Sequence, residues 1–251
     1  RLVSLSPAIT EVLFAVGCGE QLVARDGWSD FPAEATAVMA LKGLVPSAEA
    51  VVGLQPDLVL SHFPPTRLTS SLDRLGIQWR GFAPRRLTEI GESFVKIATL
   101  CGRADAGRRL KNTLDEAISH ARRRRPSKTV RVYVELDPGQ GRPHTVGKGS
   151  FIQDMVIAAG GTGLFADRGP WLQVSSEEVI ARDPDLVILT SKQPAIDRNQ
   201  FAARPGWQGC EACKIHRIKV INPDLLTRPG PRLPQAMALV STWIDDAAAA
   251  P

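Results

Sequence analysis

The stretch Ser47-Ala-Glu-Ala-Val-Val-Gly-Leu-Gln-Pro-Asp-Leu-Val-Leu60 returns 128 residues later as Ser175-Ser-Glu-Glu-Val-Ile-Ala-Arg-Asp-Pro-Asp-Leu-Val-Ile188. Two copies of one pattern predict two related halves. The leading serine of each can cap a helix by accepting a hydrogen bond from an orphan amide; Ser175 and Glu178 have capping-box spacing, whereas Ala50 denies Ser47 that partner. Pro56 and Pro184 cannot continue a helix, and the runs after them, 58–60 and 186–189, are apolar on both faces, as buried parallel strands require. Each repeat therefore predicts a helix feeding a strand. Glu49 and Glu177 take the same early position in these helices, where a carboxylate complements the dipole and can stay exposed. Local physics makes them surface charges, while their equivalence in two lobes leaves a shared recognition role open.

A chain of 251 residues could form one large domain or two small ones, and the repeat favours two lobes of roughly 100 residues each. Its 43% hydrophobic and 23% charged residues are those of an ordinary soluble globular protein. No run approaches the roughly 20 apolar residues that span a bilayer. Arg1 opens directly on the strand-like Leu-Val-Ser-Leu with no leader in sight, as it would after a leader had been removed. The net charge of +5 permits an anionic partner, but the charge is dispersed. Only Arg122 to Arg125 form a run, at the end of a helical segment and without interleaved aromatics, so nucleic acid is not expected.

Cys210 and Cys213 make a single Cys-x-x-Cys, which supplies two zinc ligands and not four, and no strand-to-helix frame precedes it. Cys18 and Cys101 lie far apart. The expectation is a local Cys210–Cys213 disulfide in an oxidising compartment.

Taken in order, residues 1–5 read as a strand, Ile9 to Val16 as a helix ended by Gly17-Cys-Gly19, and Leu22-Val-Ala as a second strand. The loop that follows carries Trp28, and loops beyond strand carboxyl ends line ligand crevices in open α/β sheets. The first repeat's strand runs out into Ser61-His62-Phe63-Pro64-Pro65, then come a helix from Thr66 to Leu75 and a strand from Ile77 to Phe82. From Leu87 to Arg125 the spacing is helical, broken at Cys101-Gly102-Arg103; the segment from Ala104 to Arg124 could reach roughly 30 Å, with Gly107 its weak point. The second half restarts with a strand from Thr129 to Leu136, a loop from Asp137 to Gly149 that lacks nucleotide-loop spacing, and a helix from Phe151 to Ala159 closed by Gly160-Gly161-Thr-Gly163. Trp171 stands just ahead of the second repeat. After its strand, Ile218-Lys-Val-Ile leads to Asp224 and Arg228, and a helix from Leu233 to about Ala248 closes the chain.

Arg1-Leu-Val-Ser-Leu-Ser-Pro-Ala-Ile-Thr-Glu, Trp28-Ser-Asp-Phe-Pro, Glu49 through Pro56-Asp-Leu-Val, Gly147-Lys-Gly-Ser, Pro170-Trp-Leu-Gln-Val-Ser-Ser-Glu177 and Arg228-Pro-Gly-Pro-Arg-Leu together resemble a substrate-binding protein of an ABC importer. The likeness is to the class whose lobes are joined by one long helix, most of all to its cobalamin-binding members, whose relatives carry haem or ferric siderophores. It implies an α/β fold of two Rossmann-like lobes with parallel central sheets: a first lobe over 1–86, a helical linker over 87–125 and a second lobe over 126–251. It implies an extracytoplasmic monomer without a cofactor, whose ligand is cobalamin or a related corrinoid. Trp28, His62, Leu136, Trp171, Asp224 and Arg228 become cleft positions. Glu49 and Glu177 become the carboxylates that dock on arginines of the importer's membrane permease subunits. This chain departs from the cobalamin binders in having His62 and Leu136 where they place further aromatics, and in adding His144 to the second lobe's cleft loop. The stacking surface shrinks, and His62 or His144 becomes a candidate axial ligand to a bound chelate; no bare metal ion is expected.

An enzyme is the first rival, and Cys210, His216 or Asp224 could be drafted for one. No nucleophile elbow, dinucleotide loop or His-Glu-x-x-His helix accompanies them, however. A scaffold would not need Trp28, Trp171, Asp224 and Arg228 in cleft loops. Because a continuous helix resists bending, the lobes are expected to move little on binding.

Overall fold

Leu2–Leu5, apolar but for Ser4, is almost wholly buried and forms β1 inside a parallel sheet. The computed structural model describes residues 1–43, 46–63, 66–124, 126–138, 142–214 and 217–250, without the side chains of 194–197 and 214. His216, Arg125, Pro64 and Pro65 and the centre of the Asp137–Gly149 loop lie outside the described residues. The chain divides into two compact units: residues 1–84, 88–113 and 229–231 form unit 1, and residues 85–87, 114–228 and 232–251 form unit 2.

Unit 1 follows β1 with α1 (Pro7–Ala15), whose proline sits at a first helical position where its missing N–H is no loss. Then come β2 (Leu22–Arg25), α2 (Ala48–Val52), β3 (Leu58–Ser61), α3 (Thr66–Arg74) and β4 (Trp79–Gly81). The strands pair in parallel in the order β2-β1-β3-β4, over a core that includes Val3, Ala24, Val51, Val59, Leu68 and Leu72. Two helices complete it, α4 (Leu87–Leu100) and the first half of α5 (Ala104–Arg123). Gly102, at a φ of 76°, turns one into the other, and the Arg103 N–H closes the turn on the Ala98 carbonyl at 2.8 Å. A β-carbon on Gly107 would lie 2.6 Å from that of Ala98 and 2.9 Å from the Phe94 carbonyl oxygen. Gly107 is therefore where α5 rests on α4, not a weak point of the helix.

Of the stretch 87–125, residues 88–113 group with unit 1 and the remainder with unit 2. The division between the units falls inside α5, between Thr113 and Leu114.

Unit 2 is built on β5 (Val130–Asp137), β6 (His144–Val146), α6 (Phe151–Ala158), β7 (Gly161–Gly163), β8 (Trp171–Gln173), α7 (Ser176–Arg182), β9 (Leu186–Thr190), α8 (Pro194–Ala202), α9 (Glu211–Lys214), β10 (Ile218–Ile221), α10 (Pro223–Leu226) and α11 (Leu233–Ala249). Its sheet runs β10-β9-β5-β6-β8 with β7 beside the first half of β5. β10, β9, β5 and β7 are mutually parallel, whereas β6 joins β5 and β8 joins β6 through antiparallel pairings. The glycine run after α6 does more than stop a helix. Gly160 takes a φ of 85°, and a β-carbon on Gly163 would fall 1.8 Å from the Gln153 Oε1, so strand β7 can pass this close to Gln153 only with glycine at 163.

Both repeats cap their helices alike: Ser47 Oγ accepts from the Ala50 N–H at 3.1 Å, and Ser175 Oγ from the Glu178 N–H at 3.2 Å. The Glu178 carboxylate is drawn elsewhere, accepting from Arg168 at 2.7 Å and Arg182 at 3.4 Å. The likeness reaches the far end as well. Gln55 and Asp183, again 128 apart, are the two non-glycine residues of positive φ among those described, at 47° and 44°, each immediately before its proline.

The cysteines pair against expectation. Cys18, just beyond α1, is bonded to Cys101 at the end of α4, within unit 1, while Cys210 and Cys213 are free thiols. Cys210 lies fully buried beside Trp207 and Phe201 in the core of unit 2. Hydrogen bonding to its sulfur, first from the Cys213 thiol and then from the Cys213 and Ala212 amides, lowers its pKa to about 7.

Candidate functional site

The carboxyl ends of β2 and β3 lie on either side of β1, so in unit 1 the loops that leave them share one edge of the sheet. The first is pinned from below. Ser4, Thr10 and Ser29 are buried and form a hydroxyl chain, Thr10 Oγ1 lying 2.9 Å from each of the other two. Ser29 donates to Asp26 Oδ2 at 2.8 Å, and the Trp28 N–H donates to Asp26 Oδ1 at 2.7 Å. Arg25 is buried and braces the far side through the Ala35 and Asp26 carbonyls. A backbone fixed this firmly leaves the Trp28 ring 66% exposed. Phe31 stands further along the same loop, also exposed.

After β3, the His62 ring stacks on Phe63 at 4.8 Å and 6°. Phe63 is as exposed as Trp28, and the sequence reading passed over it. Burial lowers the pKa of His62 to about 4, so the imidazole is neutral near pH 7, and its buried Nε2 has no hydrogen-bond partner among the described residues.

In unit 2 the antiparallel strands bring together residues far apart in sequence. His144 stands opposite Gln173 across β6 and β8, with 2.8 Å between His144 Nε2 and Gln173 Nε2. Trp171, two residues before Gln173 and therefore on the same face, is half exposed and meets Phe151 edge-on at 6.3 Å. Leu136, near the end of β5, is half-buried, and its carbonyl accepts from Thr190 Oγ1 at 2.6 Å.

The ends of β9 and β10 carry charge. Asn222 Oδ1 caps the Asp224 N–H at 2.9 Å, and the Asp224 carboxylate receives Arg228 at 2.9 Å and Lys192 at 3.0 Å. Asp224 thus works first as the anchor of two cations, and this cluster offers positive charge. Lys192 and Gln173 were not foreseen: Lys192 lies one residue beyond a loop start, and Gln173 becomes visible only through the register of β6 and β8.

Glu49 and Glu177 stand apart from these edges, in the first turns of α2 and α7, and both are exposed. Each carboxylate accepts from its own backbone N–H and from the capping serine, Ser47 or Ser175, which lowers its pKa. Both are ionised at neutral pH. Among the described residues no group of three or more His, Cys, Asp or Glu could hold a metal ion, and no helix is long and apolar enough to cross a membrane.

Residues 2–225 match the family model described as periplasmic binding protein. A vitamin B12-binding protein of Vibrio cholerae is 27% identical over 252 residues, 97% of this chain and 88% of its own. An uncharacterized ABC transporter substrate-binding lipoprotein of Bacillus subtilis is 28% identical over 246 residues, 93% of this chain and 76% of its own. Among solved structures, a periplasmic heme-binding protein from Roseiflexus sp. RS-1 superposes with a TM-score of 0.86 at 26% identity, over 99% of this chain and 98% of that one. The periplasmic vitamin B12-binding protein of Vibrio cholerae also gives 0.86, at 24% identity, over 100% of this chain and 98% of that one.

Proposed function

The chain belongs to the periplasmic binding protein family, whose members carry substrates for transport outside the cytoplasm and do not turn them over, and from that premise we propose that it captures cobalamin or a related corrinoid and hands it to the permease subunits of an ABC importer. The observation that carries the ligand reading is that each unit exposes aromatic rings, Trp28 and Phe63 on strand-end loops of unit 1 and Trp171 at the start of β8 in unit 2. Exposed rings on a rigid backbone gain from being covered, and a broad, flat, largely apolar macrocycle is the kind of ligand that supplies such a cover. Lys192 and Arg228, held by Asp224, would address its polar edge. The vitamin B12-binding relatives support the same choice.

Haem is the second reading, favoured by His62, an imidazole that is neutral at physiological pH and whose Nε2 has no partner among the described residues. A ring turned out from Phe63 could ligate an iron or cobalt centre with an open axial position.

Tryptophan-fluorescence titration with cobalamin, cobinamide, haemin and a ferric siderophore tests both. Saturable quenching by a corrinoid is expected, weakened roughly 10-fold by Trp28→Ala and again by Trp171→Ala, with stability unchanged because both rings are exposed. Tight binding of haemin alone, with an absorption spectrum altered by His62→Ala, would establish the second reading and defeat the first.

A further inference from the structure

Between α2 and α3 of unit 1 lies a groove of about 490 Å³, lined by Pro46, Ser47, Glu49, Arg67, Leu68 and Ser71. It opens beside Glu49, and its opposite wall is the α3 face that carries Arg67, Ser71 and Arg74 at helical spacing. Arg74 is occupied, donating to Ser71 Oγ at 3.1 Å, and Ser71 Oγ donates on to the Arg67 carbonyl at 3.0 Å. The Arg67 guanidinium is exposed, and among the described residues it has no ion-pair partner within contact distance; its effect is felt at Glu49, whose ionised form it favours.

The corresponding place in unit 2 is different. The Glu177 pKa is lowered by its own backbone N–H and by Ser175, with no contribution from a cation among the described residues, and the arginines around its neighbour are already matched with carboxylates: Arg168 with Glu178 at 2.7 Å, Arg182 with Asp167 at 2.8 Å. The two glutamates share their local geometry and differ in charge surroundings.

Given the proposed docking on a permease, on which this step rests, we infer that the groove beside Glu49 seats a permease loop presenting two opposite charges, an arginine for Glu49 and a carboxylate for Arg67, whereas Glu177 needs the arginine alone. The reason is desolvation. A partner that covered Glu49 with a cation and left Arg67 beneath it unanswered would place like charges side by side in a drying interface, and such mismatches suppress association strongly. A carboxylate placed on Arg67 turns the repulsion into a second pair, one that an arginine can grip with two parallel hydrogen bonds. Arg67 is thereby a specificity determinant, and the two glutamates ask different things of a partner.

The test measures affinity of the corrinoid-loaded protein for its importer embedded in nanodiscs, over a range of salt, beside the corrinoid titration of the free protein. Glu49→Ala and Glu177→Ala are expected to weaken docking. Arg67→Ala should weaken it several-fold and flatten its salt dependence, Arg67→Glu should weaken it more than 10-fold, and none should change corrinoid affinity. Docking that stays unchanged or tightens in Arg67→Ala, while both glutamate variants lose affinity, overturns the inference and leaves the docking role intact. Glutamate variants that dock as the wild type does overturn the docking role itself, and the inference with it.

Discussion

Burial of His62 shows how one side chain sets a pH response. Above about pH 6.5 both the folded and the unfolded imidazole are neutral, and His62 adds nothing to the pH dependence of stability. As the pH falls through that value the unfolded chain takes a proton that the folded chain refuses until about 4, so stability should decline across this window. Urea unfolding between pH 4 and 7 checks the slope, which His62→Gln should flatten. Sequence placed His62 and Trp28 in the loops after β3 and β2 because the ends of those strands could be read from their apolar runs. It missed the Cys18–Cys101 bridge, since 83 residues separate partners whose approach depends on α1 and α4 packing within unit 1, and proximity in sequence favoured the wrong pair.

Elements were legible in proportion to their length. The repeats, the eight residues of β5 and the helices α5 and α11 all announce themselves through periodicity or caps. The three-residue strands β6, β7 and β8 do not, because so few residues cannot display an alternation, and two of the three residues in β7 are glycines that sequence reads as a stop. The antiparallel ribbon that carries His144, Gln173 and Trp171 therefore came only from the structure. Packing also gave Gly107 its meaning. Gly107→Ala, a good helix former in an exposed helix, should here cost about 1–3 kcal/mol, because its methyl would meet Ala98 and the Phe94 carbonyl. Thermal denaturation decides the sign: an increase in Tm would mean that α5 can move off α4.

Across the whole molecule, the 128-residue echo extends from the serine caps to the left-handed Gln55 and Asp183, yet the two units are secured differently. Unit 1 holds the disulfide and unit 2 does not, so reduction should weaken unit 1 selectively, by about 2–5 kcal/mol. Calorimetry with and without a reductant should show one component of the unfolding profile moving to lower temperature while the other stays, and a profile that shifts as a single peak would contradict this. Helix α5 has a practical consequence for recombining relatives. Ala104–Thr113 belongs to one unit and Leu114–Arg123 to the other, and either half is shorter than the roughly 12–15 residues that hold a helix in water unaided. A chimera that exchanges halves between two such receptors must place its crossover at Cys101-Gly102-Arg103 or beyond Arg123, so that the whole helix is inherited from a single parent.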